Sequence, residues 1–190
     1  MRVEKYQKIL SEHLSPKRIE HSLCVSREAA RLAKKYGADE EQAELAGLLH
    51  DIMKEAPRDE QLDMIKKDGI TLNAVMMASP KLWHAIAGAA FCRLGLGIRD
   101  EEVLSAIRYH TSGRGGMTLL EKVIFIADFT SADRDYKEIA EMRAAADHSL
   151  RAAIKFALCF TIADLARHGR VICPDTIDLY NETIMDNSHL

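Results

Sequence analysis

The stretch Glu101-Glu102-Val103-Leu104-Ser105-Ala106-Ile107-Arg108-Tyr109-His110, followed by TSGRGGMTLLEKVIFIADF over 111–129, sets the terms for the rest of the chain. Apolar residues recur at helical spacing on both sides of the glycine loop Gly113-Arg114-Gly115-Gly116. Asp100 stands where an N-cap is needed for a helix to about His110. Thr118, with Glu121 three residues on, is a capping-box signal for a helix to about Phe129. Alternating apolar and polar segments of strand length are missing here and elsewhere. Each of these two helices also ends in an ionisable residue on an apolar face: His110 after Val103 and Ile107, Asp128 after Leu120 and Ile124.

Working outward, the same signals repeat. A helix is expected over Val3–His13, and Ser15-Pro16 opens another to Tyr36, stopped by Gly37. Asp39 caps a third to about Met53. Arg58–Lys67 follows, closed by Gly69, then Lys81–Leu94 after Pro80. Beyond Phe129 the pattern predicts a short helix over Tyr136–Ala145, a long one over His148–Arg167, and a last one from Pro174-Asp175. The fold class is all-α. One domain is expected across 1–190, with a metal-binding core at about 16–131 and C-terminal helices at about 136–186 completing the bundle.

Composition narrows the function. At 190 residues and 47% hydrophobic, the chain has material for one real core. No apolar run approaches the roughly 18 residues of a spanning helix. The start, Met1-Arg2-Val3-Glu4-Lys5, does not read as a signal peptide. A net charge of −3 argues against general nucleic-acid binding but leaves room for a phosphate-bearing small substrate met by local positive charge. The four cysteines, Cys24, Cys92, Cys159 and Cys173, form no C-x-x-C pair and read as reduced thiols of a cytoplasmic protein.

The informative residues are ionisable groups that periodicity turns inward. His21 shares a stripe with Val25, Ala29 and Leu32; His50 and Asp51 end the apolar run Ala46-Gly47-Leu48-Leu49; His84 shares a face with Gly88 and Phe91. Burying a carboxylate without a partner costs several kcal/mol. Any one of these histidines alone reads as a hydrogen-bonded core residue. Four histidines and two aspartates on apolar faces ask for a common cause, and a metal centre supplies one. Oxygen and nitrogen donors with no nearby cysteine suit iron, manganese or another divalent ion, not a thiolate zinc site. Two ions sharing a carboxylate can hold a bridging water as hydroxide and clamp phosphate oxygens.

The motifs that carry these residues are His21, LLHDIMK (Leu48 to Lys54), WHA (Trp83 to Ala85), Tyr109 to Phe129, Arg134-Asp135-Tyr136 and CPDTIDLYN (Cys173 to Asn181). Together they resemble the HD phosphohydrolase superfamily, and within it the YqeK-type branch associated with symmetrical hydrolysis of diadenosine tetraphosphate to two ADP. The resemblance implies two divalent metal ions, with iron favoured. His21, His50, Asp51 and Asp128 would hold the first, and His84 and His110 the second, with Asp51 bridging. It places Lys54, Thr111 and Arg134 near phosphate, with Ser112 and Arg114 beside them; Asp51 and Lys54 are the expected catalytic pair. The family often follows its last metal aspartate with an aromatic, a branched apolar residue, Glu and Pro. Here Phe129-Thr130-Ser131-Ala132-Asp133-Arg134 keeps the aspartate and the arginine, and leaves the loop's contacts to the nucleotide open.

Two rival readings stay open. The chain could act on a dNTP, a nucleoside monophosphate, a guanosine polyphosphate alarmone or a cyclic dinucleotide, or be a non-catalytic nucleotide-sensing module. The last predicts lost ligands, and all six positions are filled. Trp83 reads as core, and His13, His148, His168 and His189 are assigned no role. The helix over His148–Arg167 reads as core or dimer surface, which leaves a homodimer open.

Overall fold

A computed structural model describes residues 2–186, with side chains from Tyr6 onward. His189 lies outside the described residues. Among these the chain is helical throughout, without strands: α1 (Arg2–His13), α2 (Pro16–Tyr36), α3 (Glu40–Leu49), α4 (Arg58–Lys67), α5 (Ala74–Met77), α6 (Trp83–Leu94), α7 (Glu101–Tyr109), α8 (Leu119–Thr130), α9 (Ile139–His148), α10 (Leu150–Arg167) and α11 (Pro174–Met185). A single 3-10 turn, Pro80–Leu82, leads into α6.

Cap chemistry set most of these bounds. Asp39 and Asp100 accept from the first-turn N–H groups of α3 and α7, and the Thr118–Glu121 capping box is complete at α8. Three expectations shift. The third helix stops at Leu49 instead of reaching Met53, because tight turns at Leu49–Ile52 and Asp51–Lys54 replace the helical ladder. The short helix after the glycine-free loop runs three residues later than expected and takes in His148. The long helix begins only at Leu150, because Ser149 caps it by accepting from the Ala152 N–H. The four-residue α5, capped by Asn73, gave no periodic signal of its own.

α6 and α8 are buried nearly all round, as their unbroken apolar sequences require. α2, α3 and α7 surround them, and α10 packs on α8, α9 and α11. The closest approach is between α2 and α3. A Cβ on Gly47 would stand 2.9 Å from the Ser26 Cα, so the two backbones touch where any other residue would hold them apart. This contact brings His21 of α2 up to the end of α3. No described helix is long and apolar enough to cross a membrane.

Candidate metal centre

Five helices each deliver a ligand-type side chain to one place. His21 comes from α2, His50 and Asp51 from the end of α3, His84 from the first turn of α6, His110 from the C-cap of α7, and Asp128 from the last turns of α8. All except Asp128 are buried, and the Asp128 side chain is 21% exposed. Donor atoms of three overlapping triads lie within 4.8 Å of one another: His21–His50–Asp51, His50–His110–Asp128 and Asp51–His84–His110.

Asp51 is the pivot. Its Oδ1 faces His84 Nε2 at 3.2 Å and His110 Nε2 at 3.5 Å. Its Oδ2 faces His50 Nε2 at 3.6 Å and His21 Nε2 at 4.0 Å. Asp128 Oδ1 lies 3.1 Å from His21 Nε2 and 3.9 Å from His50 Nε2.

The imidazoles are oriented from behind. His50 Nδ1 donates to the Gly47 carbonyl at 2.7 Å, and His110 Nδ1 to the Ile107 carbonyl at 2.8 Å. Because a carbonyl only accepts, the proton is on Nδ1 and the lone pair of Nε2 points into the cluster, the tautomer a cation requires. Four buried side-chain polar atoms among the described residues lack a hydrogen bond, and three are here: His21 Nε2, His50 Nε2 and Asp51 Oδ1. An unpaired buried polar atom costs about 1–3 kcal/mol, so three together call for a partner the protein does not itself provide. A cation already leans in: the Lys54 ammonium lies 3.0 Å from His84 Nε2 and 3.4 Å from Asp51 Oδ1. The donor set therefore fits divalent metal.

Electrostatics agree. Burial alone would push Asp51 up, but His50, His110, His84 and Lys54 around it hold its carboxyl well below the usual range. Asp128 is likewise held down, against its burial, by His21, His50 and Arg134. His21 is raised because its contact with Asp128 outweighs its burial. His50 and His84 fall to about 4, chiefly through burial, and are neutral at pH 7. A histidine with a depressed folded value takes up more protons unfolded, so its stability contribution is complete above pH 6.5 and lost as pH falls toward 4. The metal-free chain is expected to lose on the order of 3 kcal/mol per ring across that window. His21 runs the other way and offsets part of the loss. Urea midpoints from pH 7 to 4 measure it; a flat profile would remove the case for neutral buried rings.

The chain is similar along its length to known proteins. The HD domain model matches residues 18–133. This chain belongs to the HD-domain family. Among its relatives, the symmetrical bis(5'-nucleosyl)-tetraphosphatase of Halalkalibacterium halodurans is 37% identical over 94% of this chain and 95% of its own. The enzyme of the same name from Bacillus subtilis is 37% identical over 90% and 92%. A crystal structure from Clostridium acetobutylicum, described as a predicted HD superfamily hydrolase involved in NAD metabolism, superposes with a TM-score of 0.93 at 37% identity, covering 96% of both chains. HD domains bind divalent metals, and the His/Asp cluster is where this one can hold them.

Around the HD cluster the phosphate-side expectations divide. Lys54 and Thr111 line a cavity of about 540 Å³ with His84, Arg58 and Lys81. Arg134 lines a second, of about 660 Å³, with His21 and Arg18, and its guanidinium pairs with Asp128. Ser112 and Arg114 are held differently: neither is among the residues lining these two cavities. Arg114 Nε and Nη2 each lie 2.9 Å from a carboxylate oxygen of buried Glu121, and Ser112 Oγ bonds the Gly113 carbonyl. Trp83 is core, its indole N–H donating to the Met76 carbonyl. Three further residues come to the site without having been singled out. Arg18, one turn before His21, places Nη1 3.4 Å from Asp51 Oδ2, and its i, i+3 spacing is the signal that could have found it. Asp133 lies behind His21. Arg143 of α9 donates to the carbonyls of Thr130, Ser131 and Arg134 and pins the loop after α8; only tertiary structure brings it there.

Proposed function

We propose that the chain is a metal-dependent hydrolase that splits diadenosine tetraphosphate symmetrically into two ADP. One ion would be held by His21, His50, Asp51 and Asp128, and a second by His84, His110 and Asp51. The observation that carries this reading is the Asp51 carboxylate, whose two oxygens face different halves of the cluster. The relatives named above support the substrate. Iron is favoured by the family resemblance, while the all-nitrogen-and-oxygen donor set equally admits manganese or another divalent ion. When bound, such ions lower the pKa of water and neutralise charge on a phosphoryl group in transfer.

The chain's own residues handle the rest. The two cavities open at opposite ends of the cluster, one at His84 and one at His21. Cations stand at both: Lys54, Arg58 and Lys81 at the first, Lys17, Arg18 and Arg134 at the second. A tetraphosphate laid across the cluster meets these cations on either side, interleaved at the His21 end with Glu20, Glu55, Asp133 and Asp135. Lys54 serves as a point charge, Arg134 offers a fork, and the Thr111 hydroxyl donates a hydrogen bond. Water adds to one inner phosphorus, the bond from that phosphorus to the central bridging oxygen breaks, and each half leaves as ADP. An adjoining cavity of about 530 Å³ shares Arg58, Lys81 and Thr111 and adds Leu82, Leu165 and Val171, apolar walls suited to a nucleoside.

The chain is read as one domain, with the metal-binding core at 16–131 and the helices of 136–186 completing the bundle. Its four free cysteines fit a reducing cytoplasm.

The product pattern tests the assignment. Metal-loaded protein given diadenosine tetraphosphate is expected to yield ADP alone on ion-exchange chromatography. ATP plus AMP would overturn symmetrical cleavage. No turnover, alongside rapid hydrolysis of NAD, a dNTP or a guanosine polyphosphate, would move the chain to another nucleotide.

A further inference from the structure

His21 differs from His50 and His110 in how it is held. Those two cap the C-terminal ends of α3 and α7, where the last carbonyls lack partners within the helix and can accept from Nδ1. His21 lies within α2, where the carbonyls are taken by the helix itself. Its ring needs an acceptor from outside, and Asp133 supplies one: Oδ2 lies 2.7 Å from His21 Nδ1.

We propose that Asp133 is a positioning residue for the metal centre, fixing the His21 ring through Nδ1 so that Nε2 is presented to a cation between Asp51 and Asp128. This rests on the reading that the cluster holds divalent metal.

Three observations carry it. Both oxygens of Asp133 are committed, Oδ2 to His21 and Oδ1 to the Ser131 hydroxyl, which donates at 2.7 Å. The loop that presents Asp133 is held by Arg143 through the carbonyls of Thr130, Ser131 and Arg134, so the carboxylate approaches from a fixed direction. And Asp133 belongs to none of the three triads whose donors lie within coordinating range of one another, so its place is behind a ligand. A carboxylate on Nδ1 does more than a carbonyl. Its full negative charge enriches Nε2 and makes His21 a stronger donor than a ring held by a carbonyl.

The test uses full-length, metal-free protein titrated with Co²⁺, read by calorimetry and by the visible d–d bands. Asp133→Ala is expected to weaken the tightest Co²⁺ binding about 10–100-fold and to shift the bands. Asp133→Asn keeps an acceptor without the charge and should fall between that variant and the parent; being isosteric, it also guards against a folding artefact. Asp135→Ala removes an acid that lines the same cavity and should bind as the parent does. Two results would overturn the proposal: parent-like binding by Asp133→Ala while His21→Ala is weakened, or equal losses in Asp133→Ala and Asp135→Ala, which would mean bulk charge alone. Parent-like binding by His21→Ala would instead overturn the metal reading beneath it. Because nucleotide hydrolysis is not read, a wrong substrate assignment leaves the outcome intact.

Discussion

Asp51→Asn is expected to lower kcat/KM for diadenosine tetraphosphate by at least ~10³-fold, because in the proposed dinuclear site it removes the charge that both ions would share. The variant should also fall from two divalent ions per chain to fewer than one, measured by elemental analysis after anaerobic purification. The reason is local. Oδ1 faces His84 and His110 and Oδ2 faces His50 and His21, all within 4.0 Å, whereas Asp128 is single-sided in its close contacts, with Oδ1 3.1 Å from His21 and 3.9 Å from His50. An amide of the same shape leaves imidazoles that still point inward with no charge to offset two cations. Glu121 supplies the contrast. It is just as buried, yet Arg114, the Thr118 N–H and the Ser105 hydroxyl satisfy it, and it touches no histidine of the cluster. Glu121→Gln should therefore cost about 1–3 kcal/mol of stability and leave metal content unchanged. Asp51→Asn retaining two ions and activity within tenfold of the parent would end the dinuclear reading.

That contrast also marks what a sequence can disclose. Asp51 and Glu121 both fall in apolar runs of helical spacing, and periodicity alone does not separate a ligand from a cap. The Thr118–Glu121 spacing explained Glu121 in advance as a capping-box partner, whereas nothing adjacent explained His50-Asp51, so the excess of inward ionisable groups pointed to a site. The helices were legible because caps and glycines are local signals: Pro16–Tyr36 and Arg58–Lys67 fall where Pro, Gly and charge place them. The turn at His50-Asp51 was not, because its apolar residues keep helical spacing while the backbone leaves the helix to bring both side chains to one point. Arg114 shows a related limit. A cation in a glycine loop beside His110 suggests phosphate, but whether its fork faces the cavity or Glu121 depends on where α8 lies. Asp133 and Arg143 act across helix boundaries, and no spacing rule reaches them.

Gly47→Ala is the second large effect, and it works on distance instead of charge. The new methyl group would stand 2.9 Å from the Ser26 Cα, 3.1 Å from the Ser26 N and 3.1 Å from the Val25 carbonyl oxygen. All three are backbone atoms that no rotamer change can move, so α2 and α3 must separate. Overpacking of this kind costs about 1–3 kcal/mol, within the margin a domain of this size can absorb. The variant should stay helical by far-UV circular dichroism with a lowered Tm. The centre has less tolerance. Gly47 also provides the carbonyl that orients His50, and α2 carries His21, so a shift of a few tenths of an ångström opens the His21–His50–Asp51 triad from two sides. His84 and His110 come from α6 and α7, and α3 packs on α7, so Asp51 keeps its spacing to them as α2 moves away. Gly47→Ala is thus expected to lose the ion on the His21 side, retain about one per chain, and drop in turnover at least ~10²-fold, since one of the two ions that the proposed reaction uses would be missing. Gly88→Ala is the matched control: its Cβ would find no atom nearer than 3.6 Å, and metal content should be that of the parent. Equal metal and turnover in Gly47→Ala and the parent would show that close contact between α2 and α3 is not what holds the two halves of the site together.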